Sequence, residues 1–269
     1  MIARTRVDNR GLRRARGVVI AGAAASLIAA TSCDRTRESD SRSAIDDDAS
    51  PPVAARARTP GDDATAGFAL WEERRYAAAA IPLAAAFARQ PELPLAGERL
   101  AECQIECERF EEAAAVARRA LAISLARTND APDGVGAAER RSRAKLAFLV
   151  ALASKHLGRF ADCEAAARVS LDAAPGSIAS RTLLAGALRA QSKHEEAVAE
   201  LRRALAMLER AELRAGRAQI HYQLAQSLFA LGRSAEASSH LELHASEQQD
   251  FEDAARRERA TIDGEPPRE

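Results

Sequence analysis

Aromatic residues make up only 4% of the 269-residue chain, with one tryptophan and two tyrosines, and runs of β-branched residues are scarce. Sheets are filled by just those side chains, so their scarcity excludes a strand-rich fold. Lysine is rarer still: Lys145, Lys155 and Lys193 stand alone against an abundance of arginine. With the high alanine content, that ratio points to a GC-rich genome rather than to arginine chemistry. The chain also lacks Gly-x-Ser-x-Gly, a phosphate-cradling glycine loop and a His-Glu-x-x-His zinc motif, which removes the commonest hydrolase, nucleotide and metalloprotease signatures. No cofactor site and no small-molecule substrate site is expected.

What is present is alanine within a 47% apolar composition. Alanine favours helices and lets them pack closely through small side chains. The chain carries no net charge, but residues 1–32 hold six arginines against Asp8 alone, and without them 33 basic and 38 acidic residues remain, net −5. A mildly acidic chain whose one basic block is the short ERRSR of 139–143 argues against nucleic acid as a partner.

The first 16 residues are arginine-rich and precede GVVIAGAAASLIAATSC, which ends in small residues and Cys33. An apolar run of about a dozen residues is too short to span a bilayer and reads as the core of a signal peptide. Ala30-Thr31-Ser32-Cys33 resembles the lipobox of bacterial lipoproteins, which implies lipidation of Cys33. Ala30 stands where that family usually has leucine, so ordinary cleavage after Ala30 or Ser32 remains open. Residues 34–62 are polar, charged and interrupted by proline, too poor in apolar surface to order themselves. The organisation expected is a signal peptide at 1–32, a lipidated cysteine and disordered tether at 33–62, a folded region at 63–251, and a C-terminal capping segment and disordered tail at 252–269. The protein would then be an exported, membrane-anchored lipoprotein facing the periplasm or the cell exterior.

The folded region repeats. Tyr76, Phe110, Phe160, His194 and Ser234 are separated by 34, 50, 34 and 40 residues. Three residues after each stands a small side chain (Ala79, Ala113, Cys163, Ala197, Ala237), and nine before each another (Gly67, Ala101, Ala151, Ala185, Ala225). Small residues at matched places on two successive helical patterns allow those helices to cross closely, with the anchor wedged between them. The excess lengths fall in 128–143, a Pro/Gly loop expected to lengthen the following helix backwards, and in 212–217, ELRAGR, expected to extend a helix up to a glycine break. Leu157-Gly158-Arg159-Phe160 and Leu231-Gly232-Arg233-Ser234 read as inter-helix turns, with glycine supplying the positive φ. This pattern resembles the tetratricopeptide repeat (TPR) family, which implies an all-α, right-handed α-solenoid of about five helix-turn-helix repeats.

Within that frame the clustered His156, Asp162, Cys163 and Glu164 belong to packing and helix ends rather than to a site. Cys103 and Cys107 lie four apart on one helix, but no second pair or suitably spaced histidine completes a metal site. The family usually binds protein or peptide segments in its concave groove. Carried over here, that implies a protein-binding groove formed by Phe68 and Trp71, then Glu98, Glu102 and Ile105, then Phe148, Leu152 and Lys155, then Thr182 and Arg189, and finally Tyr222, Gln226 and Phe229. The Lys/Asn pairs by which some members clamp a terminal carboxylate are missing, since Asn9 and Asn129 are the only asparagines. The function expected is a non-enzymatic, membrane-tethered scaffold that recruits a protein partner in the bacterial cell envelope, such as a helper in assembling a secretion, pilus or envelope complex. An accessory subunit of an exported enzyme or redox system, using Cys103 and Cys107, is the alternative.

Overall fold

The computed structural model describes residues 58–93, 95–129 and 136–262. Residues 33–57 of the expected tether, Cys33 among them, lie outside them. Among the described residues there are ten helices and no strand: α1 (Pro60–Glu72), α2 (Tyr76–Arg89), α3 (Ala96–Glu106), α4 (Phe110–Asn129), α5 (Ala137–His156), α6 (Phe160–Ala173), α7 (Ile178–Ala190), α8 (His194–Arg210), α9 (Arg217–Ala230) and α10 (Ser234–Ile262). They form five pairs. Each anchor named from the sequence is the first residue of a pair's second helix.

Helix α1 opens three residues earlier than the sequence boundary at 63. Thr59 and Asp62 cap it reciprocally: the Asp62 N–H donates to Thr59 Oγ1 at 3.1 Å and the Thr59 N–H to Asp62 Oδ2 at 2.8 Å. Pro60 occupies the first turn, where a missing N–H costs nothing. At the other end, α10 runs through Ile262, well beyond 251.

One turn joins the helices of every pair. The residue two before each anchor has positive φ: Arg74, Glu108, Gly158, Ser192 and Gly232, between 58° and 74°. Its N–H and the next one close back on the ending helix, as in Gly158 N–H to the Lys155 carbonyl at 3.1 Å and Arg159 N–H to the Ser154 carbonyl at 2.9 Å. This is the Schellman ending, which satisfies carbonyls the helix leaves open. Three of the five turns hold it without glycine, at about 1–2 kcal/mol each.

Small residues sit where the helices cross. Ala79, Ala113, Cys163, Ala197 and Ala237 are all fully buried, as are Ala101, Ala151 and Ala225. Gly67 shows why size matters there: a Cβ on it would lie 2.5 Å from Leu83 Cγ. The 128–143 insertion does lengthen α5 backwards, to 20 residues. The 212–217 insertion differs from expectation: α8 stops at Arg210, and a further turn with Glu212 at φ 53° leads to Gly216, which caps α9.

The backbones of successive first helices approach one another closely, α1 on α3, α3 on α5, α5 on α7 and α7 on α9, whereas those of successive second helices stand further apart. The first helices therefore line the inner, concave side and the second helices the outer rim. Arginine side chains bridge that rim at equivalent places: Arg118 to Asp162 at 2.8 Å, Arg168 to Glu196 at 3.2 Å, and Arg202 to Glu236 at 2.9 Å. Each arginine lies eight residues into its helix and each carboxylate two residues into the next second helix. All are exposed, so each pair contributes at most about 1 kcal/mol.

Candidate binding groove

Helix periodicity places side chains three, four and seven residues apart on one face, so the inner side of each first helix presents a stripe. Between α1, α3 and α5 these stripes enclose an open depression of about 250 Å³, lined by Trp71, Tyr76, Glu102, Ile105, Glu106, Lys145, Phe148, Leu149 and Leu152. Five of the sequence-derived groove residues meet here: Trp71, Glu102, Ile105, Phe148 and Leu152. Trp71 forms one wall. The Arg99 guanidinium lies over its ring, 3.8 Å from the centroid, and the indole N–H finds no acceptor among the described residues. Glu102 is held from two sides, by Arg99 and by Lys145, each at 2.7 Å. The Lys145 ammonium also stands 5.9 Å from the Phe148 ring centroid. The rim is thus ordered by ion pairs around an apolar floor.

A second part of the same face spans α5, α7 and α9. The Arg189 guanidinium donates to the Gln226 side-chain oxygen, joining α7 to α9. Burial pulls Arg189 below its usual pKa, with Tyr222 nearby opposing the shift. Tyr222 and Phe229 are 39% and 46% exposed, and the Tyr222 ring lies 5.3 Å from that of His244. Lys155 is exposed.

Three expected groove residues are engaged elsewhere. Glu98 is buried, and the Ser142 hydroxyl donates to it. Burial raises its pKa although Ser142 and Arg99 work against the shift. Its partner comes from the backward extension of α5, which covers it. Phe68 packs into the core shared by α1 to α5. The Thr182 hydroxyl donates to the Ile178 carbonyl of its own helix at 2.8 Å. Sequence reasoning missed Tyr76, Glu106, Lys145 and Leu149. Lys145 and Leu149 lie seven and three residues before Leu152, a spacing that could have found them.

The residues of the HLGRFADCEAAARVSLDAAP stretch separate. His156 stacks on Phe110 with ring centroids 4.3 Å apart. Asp162 pairs with Arg118, and Cys163 is fully buried. Glu164 accepts from Lys193 at 2.7 Å and Arg168 at 2.8 Å, which with Gln191 hold its pKa down to about 2. Among the described residues no group of three or more His, Cys, Asp or Glu is arranged to hold a metal. Burial pushes the Cys103 thiol up to about 12, with Cys107 and Glu102 adding to the shift, and Cys163 to about 11. Such thiols remain protonated at neutral pH and are poor nucleophiles.

Inner first helices, outer second helices and a recurring turn define an all-α solenoid of TPR-like repeats. Solved structures of that kind are similar to this chain. The structure titled MamA MSR-1 is 17% identical, with a TM-score of 0.56 over 71% of this chain and 98% of its own. The MamA RS-1 ArsTM double mutant is 11% identical, with a TM-score of 0.58 over 72% of this chain and 98% of its own. A Podosopora anserina putative kinesin light chain with nearly identical TPR-like repeats is 18% identical, with a TM-score of 0.55 over 71% and 95%. At these identities the likeness is one of fold. No protein-family model matches the chain, and no curated protein matches it in sequence.

Proposed function

We propose that the protein is a non-enzymatic scaffold that grips a segment of a partner protein along the first-helix face. One observation carries this reading: the open depression between α1, α3 and α5, with an apolar floor of Trp71, Ile105, Phe148, Leu149 and Leu152 and a charged rim. Aromatic and aliphatic anchors in a pocket, ringed by polar groups, are the usual make-up of a protein-binding hot spot. The TPR-like fold supports the same reading, because it offers a long inner surface built from successive helices. A photo-crosslinking residue at Phe148 should capture a partner, whereas the same residue at Ile81, 74% exposed on α2, should not. Equal capture at both positions would remove the groove from the proposal.

The scaffold is further proposed to be exported and held at a membrane by lipid on Cys33, where it would help assemble an envelope, secretion or pilus complex. The support is in the sequence: Cys33 follows a short apolar run and precedes a polar tether of some 30 residues, which as a flexible coil reaches roughly 30 Å from a surface. No helix among the described residues is long and apolar enough to cross a membrane. Cys33→Ala should abolish fatty-acid labelling and release the protein from membranes. Unchanged labelling and attachment would end the lipoprotein reading.

A further inference from the structure

The residue five places before each second helix forms a column along the first-helix face: Trp71, Ile105, Lys155, Arg189 and Phe229. Its third and fourth members are cations on consecutive repeats. Among the described residues neither Lys155 nor Arg189 has a carboxylate partner, and the neutral amide of Gln226 is the group that holds Arg189. A half-buried guanidinium met only by an amide leaves its charge uncompensated, a state that an incoming anion would relieve.

The first helices are polarised in the same sense. Helices α1 and α3 carry six carboxylates and one cation, Arg99, whereas α5, α7 and α9 carry eight lysines and arginines and a single carboxylate, Glu139, with Lys145, Arg181 and Arg217 paired to carboxylates of neighbouring helices. Glu139 is taken up by the Ser124 hydroxyl. Phe148, Leu152 and Lys155 stand at i, i+4 and i+7 on α5, so the apolar depression and Lys155 share one helix face. Seven helical residues rise about 10 Å, the reach of three extended residues. Neighbouring packed helices are about 8–10 Å apart, which puts Arg189 a similar step from Lys155, sideways onto the next first helix, so the bound segment turns at Lys155.

We propose that the occupant of the first-helix face is an acidic peptide segment: a bulky apolar side chain enters the depression at Phe148, and aspartate or glutamate side chains about three and six residues further along meet Lys155 and Arg189. This rests on the groove reading and specifies its ligand. The charge pattern, and not the apolar floor, carries the specification.

Trp71, the chain's single tryptophan, lines the depression and reports its occupancy by fluorescence. The test titrates the full chain with capped peptides bearing one phenylalanine and glutamates three and six residues after it. Control peptides carry lysine for glutamate, or alanine for phenylalanine. The acidic peptide should shift Trp71 emission and bind at least tenfold tighter than either control. Its affinity should fall about tenfold in Lys155→Glu and in Arg189→Gln, and fall with added salt. Lys155 is exposed, so its variant keeps the test open should the Arg189 variant lose helicity. If the lysine peptide binds as tightly, the acidic specification is overturned while the groove survives. If neither peptide moves Trp71 emission, both fall. If the acidic peptide binds only with a free C-terminus, the group recognised is a chain end, and the proposal of side-chain carboxylates is overturned.

Discussion

The Nδ1 atoms of His221 and His240 lie 3.0 Å apart, joining α9 to α10 through a pair of imidazoles. One ring must donate and the other accept, so the contact requires at least one neutral histidine. His221 is buried, and burial first, then His240, Arg217 and His244, push its pKa down to about 4. The one carboxylate beside it among the described residues, Glu247 at 3.8 Å, is drawn to Arg217 at 3.0 Å. An unfolded histidine titrates near 6.5. Between those two values the unfolded chain binds a proton that the folded chain refuses, so stability falls as pH drops from about 6.5 to 4. Melting temperature should decline over that window, and hydrogen exchange should show α9 and α10 loosening first. His221→Leu should flatten the decline, and an unchanged slope would contradict the assignment.

Two glycines inside first helices should respond oppositely to alanine. A Cβ on Gly67 would meet Leu83 Cγ at 2.5 Å and the Leu83 nitrogen at 3.3 Å, so Gly67→Ala should cost about 1–3 kcal/mol by overpacking. Gly186 has no atom within 4 Å of such a Cβ, and Gly186→Ala should stabilise α7 by up to about 1 kcal/mol through helix propensity. Urea denaturation of both variants measures the difference, and shifts of the same sign would place one helix crossing wrongly.

The recurring turn gives a second opposed pair. Ser192 holds φ 62° and Gly158 φ 70° in the same ending. Ser192→Gly should raise stability by about 0.5–1 kcal/mol and Gly158→Ala should lower it by about 1 kcal/mol. No atom lies within 4 Å of a Cβ on Gly158, so any loss there is backbone strain alone. Thermal melts of the two variants should move apart.

Thiol reagents should separate the cysteines of the folded region. Cys107 is partly exposed at the end of α3, whereas Cys103 and Cys163 are fully buried with raised pKa values. Cys107 should be modified in the native protein, and the other two only on unfolding. Rapid native modification of Cys103 would reopen a redox role for the Cys103 and Cys107 pair.

The repeat frame was legible because packing imposes it residue by residue. A side chain larger than Cys163 or Ala197 cannot occupy a helix crossing, so small residues recur at fixed distances from the anchors, and each anchor begins a second helix. Turn conformation was legible only at Gly158 and Gly232. At Arg74, Glu108 and Ser192 the same positive φ is imposed by the two helices the turn must join, against local preference. The groove was half legible for a related reason. Trp71, Ile105, Phe148 and Leu152 follow from register, but Glu98 is buried against Ser142, a neighbour supplied by the 128–143 insertion. Lys145 escaped notice because its role depends on Glu102 of another helix, 43 residues away in sequence.

The bridged outer rim has a mechanical consequence. Along the inner side, helix packs on helix and fixes a length. Along the outer side, the span from one second helix to the next is crossed by exposed arginine–carboxylate struts, whose pull weakens as dissolved ions crowd in. Added salt therefore loosens the ties along the outer side while leaving the apolar packing along the inner side in place.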